Sequence, residues 1–123
     1  MNTETERKPE AFGRKRVNSF VFALKGLWHA FRTETHMKLH GLAAVVVIAY
    51  GLWDNLSTLE WFMVGLAIAL VFITELINTA LEKLVDLVHP EQAPAAGQVK
   101  DIAAGAVLVA ACFALIVACW VFL

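Results

Sequence analysis

The chain has 123 residues, of which 59% are hydrophobic and 17% charged, against about 45–50% and about 25% in ordinary soluble domains. This excludes an ordinary soluble globule and points to a membrane protein. The net charge of −1 conceals an asymmetry: eight of the ten Lys and Arg residues lie at or before Lys38, and none falls between Leu39 and Glu82.

Residues 1–11 are polar and charged and read as a mobile tail. From about 12 to 33 the apolar residues Phe20, Leu24, Leu27, Trp28 and Phe31 recur at helical spacing. Asn18, Lys25, His29 and Arg32 fall mostly on the opposite side. A basic amphipathic helix lying on the membrane surface is predicted there. Lys25 interrupts the run from Val17 to Phe31 and no small-residue cleavage site follows, so a removable secretory signal is not expected.

The first predicted span covers about 35–53. Its uncharged run, Leu39 to Trp53, is short and reaches spanning length if Lys38 snorkels to the surface. The loop DNLSTLE (54–60) precedes a second span, 61–88. At ~1.5 Å per residue that helix is ~42 Å long, more than a ~30 Å hydrocarbon core, so one end projects from the lipid. The third span, about 98–123, includes 22 residues from Ile102 onward without an Asp, Glu, Lys or Arg. The basic tail, with Lys83 and Lys100 flanking the second loop, predicts a cytoplasmic N-terminus and an outward C-terminus. Trp53, Trp61 and Trp120 would then lie at the outer interface. Cys112 and Cys119 are ~10 Å apart along one helix, too far for a disulfide, and read as packing residues. Gly65 with Ala69, and Ala106, Ala110, Ala114 and Ala118, form small-residue stripes of the kind that lets helices approach closely.

Polar residues concentrate at one level. Glu75, Asn78, Glu82 and Asp86 fall within an arc of roughly 80° at ~100° per residue. With Trp61 at the outer boundary, Glu75 is ~21 Å deep and Glu82 ~31 Å, near the cytoplasmic edge. Glu34 and Lys38 open the first span at that edge, and Lys100 and Asp101 open the third. Three inward faces would gather Glu34, Glu82, Lys100 and Asp101 in one layer, with Glu75 and Asn78 beneath. Charges at span ends are routinely solvated, so Asp86 is assigned to the cytosol. An acid at membrane depth costs about 2.5–3.5 kcal/mol or more, which marks Glu75 as functional.

These residues leave three classes open: a proton-coupled transporter, an assembly subunit, and an enzyme of the membrane interface. The outer halves of all three spans lack charged residues, which disfavours a charged pathway across the membrane. Two carboxylates suit Mg²⁺ with phosphate oxygens, although neither GxxxxGK[ST] nor GxGxxG occurs.

The segments FALKGLWHAFRTE (22–34), ELINTALEKLVDLV (75–88) and KDIAAGAVL (100–108) resemble the small prokaryotic diacylglycerol kinase and undecaprenol kinase family, over about residues 15 to 120. The resemblance implies an all-α membrane protein of the bacterial cytoplasmic membrane. Each subunit would carry three transmembrane helices and an amphipathic surface helix, in a homotrimer with active sites shared between subunits. It implies transfer of the γ-phosphate of Mg-ATP to the hydroxyl of a membrane lipid alcohol. Glu75 matches the catalytic base and Asn78 the amide beside it. Glu34 and Glu82 match the Mg²⁺-binding acids that hold the nucleotide phosphates, and Lys100 and Asp101 match nucleotide-contacting residues. In HPEQAPAAG, Glu91 of the expected nucleotide loop is kept, while Gln92 and Ala93 replace a Tyr and a His of many relatives. FRTE-x-x-M-K-L-H and KDIAAGAVL are closer to Gram-positive undecaprenol kinases, so undecaprenol is expected ahead of diacylglycerol. His36 and His40 read as interfacial.

Overall fold

A computed structural model describes residues 12–123, and the predicted tail 1–11 lies outside the described residues. Four helices follow in order: α1 Phe12–Thr33, α2 Thr35–Asp54, α3 Thr58–Val88 and α4 Pro94–Phe122. No strand occurs among the described residues. The last three helices are long and apolar enough to cross a membrane.

Helix α3, with 31 residues, packs along α4 in the most extensive contact of the fold. Their seam is built from Val64 and Ala67 on α3 and Val117 on α4, flanked by Met63, Ile68 and Phe113. On α4 the buried residues Ala103, Ala110 and Val117 are seven apart, so a heptad seam carries the contact. Of the predicted alanine stripe only Ala110 is fully buried; Ala106 is exposed, as are Gly65 and Ala69 on α3. Those small residues therefore face away from the chain's own helices. Cys112 and Cys119 are free and exposed, so they pack into no interior contact of this chain.

Helix α2 leans on α3 and reaches α4 at one end, where Tyr50 meets Phe122 edge-on at 5.0 Å. The α2–α3 turn is shorter than the seven-residue loop expected from sequence. Asn55 adopts the left-handed conformation at φ 54°, and its N–H and that of Leu56 both donate to the Gly51 carbonyl. Ser57 and Glu60 then form a reciprocal capping box, which starts α3 at Thr58 rather than Trp61. Trp61 is half-buried beside this turn. A Cβ on Gly51 would lie 2.8 Å from the Leu56 side chain and 2.9 Å from the Trp61 ring. Gly51→Val is therefore expected to lower stability by about 1–3 kcal/mol through overpacking, read by thermal unfolding in detergent. Gly26→Ala, where an added Cβ meets nothing within 4 Å, is the control with little change.

Helix α4 begins at Pro94, four residues before the expected start. Proline occupies the first turn, where its missing N–H leaves no helical bond unmade. Helix α1 keeps Phe20, Leu24, Leu27 and Trp28 exposed, so the predicted apolar stripe is uncovered by protein. The helix is tied down near its C-terminal end, where Ala30 is buried and Phe31 lies 5.5 Å from Phe72 of α3. Lys83 Nζ, which can only donate, lies 2.9 Å from His29 Nε2, so that nitrogen accepts in the neutral tautomer.

Candidate active site

The α3 seam does not stop where the apolar residues do. Glu75 and Asn78 lie 11 and 14 residues beyond Val64, close to whole numbers of helical turns, and so occupy positions that would otherwise hold core residues. Glu75 is 5% exposed and Asn78 8%, with Thr79 buried beside them. An acid and an amide are thus turned into the bundle, as an intramembrane polar group must be when it is not left in lipid.

Asn78 Nδ2 donates to Glu82 Oε1 at 3.3 Å, one turn closer to the helix end. This fixes the amide so that Oδ1 is buried without a hydrogen-bond partner. A buried acceptor left unmatched costs about 1–3 kcal/mol, so the amide oxygen remains open to a further donor. Glu82 is half-buried. The face therefore divides into a submerged pair, Glu75 and Asn78, and a half-accessible carboxylate.

Glu34 interrupts the helical path between α1 and α2 with φ −100° and ψ 119°. It occupies the N-cap position of α2, but its side chain makes no capping bond, so the half-buried carboxylate is not consumed by the helix. No group of three or more His, Cys, Asp or Glu arranged to hold a metal occurs among the described residues.

Lys100 and Asp101, adjacent in sequence, separate in space. Lys100 precedes the buried Ala103 by three residues and stays on the α3 side, where Nζ meets Asp86 Oδ1 at 2.6 Å. Asp101, ~100° further round the helix, is exposed. Asp86, read from sequence as a solvated cytosolic acid, is the partner of Lys100 across the α3–α4 corner. With side chains 63% and 38% exposed, the pair contributes to orientation more than to stability. Glu91 lies in the connecting loop, whose groove is lined by Asp86, His89, Glu91, Gln92, Gly97 and Lys100. His89 Nδ1 contacts the Glu91 carbonyl at 2.7 Å, closing the loop on itself.

His40 is the residue the sequence reading missed. Its Nε2 lies 3.8 Å from Glu75 Oε2, with the imidazole 25% exposed. The signal was present in α2: Met37, Gly41, Ala44 and Gly51 share the inward face that His40 occupies. His40 also lines one end of an apolar cavity of about 340 Å³ between α2, α3 and α4, walled by Ala44, Val47, Val71, Phe72 and Ala114 among others.

The arrangement offers a submerged proton acceptor, an unmatched amide oxygen, half-accessible carboxylates, an ammonium at the interface and a hydrocarbon-lined cavity. A family model described as "Prokaryotic diacylglycerol kinase" matches residues 21–122. An undecaprenol kinase of Bacillus subtilis is 42% identical over 105 residues, covering 85% of each chain. A diacylglycerol kinase of Synechocystis is 39% identical over 100 residues, 80% of this chain and 57% of that longer protein. The diacylglycerol kinase of Escherichia coli K12 is 29% identical over 103 residues, 84% of each. The match runs from α1 to the end of α4 and includes every residue of the inward polar face, so the chain belongs to the prokaryotic diacylglycerol kinase family, a family of lipid kinases.

Proposed function

We propose that this membrane-embedded lipid kinase transfers the γ-phosphate of ATP to the hydroxyl of a lipid alcohol, undecaprenol ahead of diacylglycerol. The observation that carries the reading is the buried Glu75 beside Asn78, whose Oδ1 lacks a hydrogen-bond partner. A lipid hydroxyl entering there can donate its hydrogen bond to the carboxylate, and Glu75 takes its proton as the oxygen attacks phosphorus. The apolar cavity reaching His40 supports a hydrocarbon chain alongside. The higher identity to the Bacillus subtilis undecaprenol kinase favours a polyprenyl alcohol.

The donor set fits Mg²⁺, which takes one or two carboxylates and completes its shell with water and phosphate oxygens rather than an all-protein cage. Glu82 and Glu34, half-buried and without a capping or ion-pair role, would hold it. When bound it neutralises charge on the phosphates. Lys100 has three donors and Asp86 engages one, which leaves two for phosphate oxygens. Glu91 and Asp101 border the nucleotide from the loop and from the start of α4. Positioning and charge neutralisation supply most of the rate enhancement in such transfers.

The distribution of Lys and Arg supports a cytoplasmic N-terminus and α3–α4 loop and an outward C-terminus. Exposed Gly65 and Ala69 on α3, beside Leu66, Ile73 and Ile77, support association with a second copy of the chain; the assembly proposed is a homotrimer in which sites are completed by neighbouring subunits.

The test is incubation of the purified protein with γ-labelled ATP, Mg²⁺ and equal amounts of undecaprenol and diacylglycerol, followed by thin-layer separation. Label is expected mainly in undecaprenyl phosphate. Label only in phosphatidic acid would reverse the substrate order, and label in neither would overturn the activity for both lipids.

A further inference from the structure

A base at 5% exposure cannot exchange its proton freely with water. When the lipid O–H bond breaks, the O–Pγ bond forms and the bond from Pγ to the bridging oxygen releases its electron pair to ADP. The proton then resides on Glu75, which must lose it before another cycle. Within this chain, neighbouring groups offer few routes. On α3, Asn78 and Thr79 are not bases at neutral pH, and Glu82 accepts from Asn78. From α1, His29 is engaged by Lys83, and from α4, Lys100 is paired with Asp86. On α2, His40 Nε2 lies 3.8 Å from Glu75 Oε2 and the ring is one-quarter exposed.

We propose that His40 is the proton exit of Glu75, a positioning residue that acts through the base and restores its carboxylate after each transfer. A proton passes from Glu75 Oε2 to the unprotonated Nε2 of His40, the imidazolium loses its Nδ1 proton to water on its exposed side, and exchange of the Nε2 proton for one at Nδ1 through water returns the starting tautomer, regenerating both groups. The separation is about 1 Å longer than a hydrogen bond, and catalytic contacts of this kind commonly tighten once substrate is bound. Glutamine at position 40 keeps a polar side chain but cannot relay a proton, whereas alanine leaves room for a small external base.

This inference rests on Glu75 being the base, and the two can be separated with the full-length protein in lipid micelles by rapid quench with γ-labelled ATP. In His40→Gln the first turnover is expected to stay within about twofold of wild type while steady-state kcat falls about tenfold, within reach of a proton-transfer contribution. Imidazole added to His40→Ala should restore much of kcat without altering KM for ATP. Equal losses in first turnover and kcat, no loss of kcat, or failure of imidazole to rescue would each overturn the exit role. Glu75→Gln, run alongside, should lose the first turnover itself. If it does so while His40→Gln behaves as wild type, the base stands and only the exit falls; if Glu75→Gln keeps its first turnover, the base reading fails.

Discussion

Glu75→Gln is expected to abolish transfer of phosphate to lipid while ATP-analogue binding and the membrane-inserted assembly survive. The substitution preserves volume and hydrogen-bonding capacity at a position 5% exposed, so it opens no cavity in the α3–α4 seam. What it removes is the ability to accept a proton from the attacking hydroxyl, and positioned general bases contribute about 10²–10⁴-fold. Loss of that size or more is expected in kcat, measured as labelled lipid formed at saturating ATP, with binding of a non-hydrolysable analogue changed little. Activity within tenfold of wild type would remove Glu75 from the base position. Weakened analogue binding of similar size would instead make it part of the nucleotide site.

Glu82→Gln should act on the other reactant. Because Asn78 Nδ2 donates to Glu82 Oε1, glutamine can present a carbonyl oxygen to the same donor, so the amide keeps its orientation and only the charge is lost. The expected consequence is a rise in the Mg²⁺ concentration needed for half-maximal rate. It should be at least the about 10–100-fold that follows loss of a metal's outer-shell partner, with much of kcat recovered at high Mg²⁺. A magnesium titration of wild type and variant checks this. An unchanged midpoint would transfer the metal role away from Glu82, and a loss that no Mg²⁺ concentration restores would indicate that the charge acts on the transferring group itself.

The three membrane helices were legible because uncharged length is the dominant constraint in lipid, where backbone groups must be satisfied within the helix. Their ends were less legible for local reasons. Ser57 and Glu60 look like a polar loop until they are read as a capping pair, and Pro94 looks like a breaker until its place in a first turn is considered. That Glu75, Asn78 and Glu82 share one face follows from helical periodicity alone; which way it points does not. The contacts of His40 with Glu75 and Lys100 with Asp86 do not, because each depends on the axial register between two helices. The small-residue stripes were visible, but which of them faced another helix of the same chain was not. That choice fell to the heptad Ala103, Ala110, Val117.

The turn that joins α2 to α3 has a mechanical consequence. Two N–H groups locked on the Gly51 carbonyl and a reciprocal Ser57–Glu60 cap make this end stiff, while contacts between α2 and the rest of the bundle are sparser than those between α3 and α4. The rigid turn therefore sets the angle at which α2 lies against α3. His40, 15 residues from Asn55, sits ~22 Å along the helix from that turn, so a difference of only about 3° in that angle would displace the imidazole by about 1 Å. A displacement of that size is the difference between the 3.8 Å separation from Glu75 and a hydrogen bond, so this contact depends on the angle the turn sets.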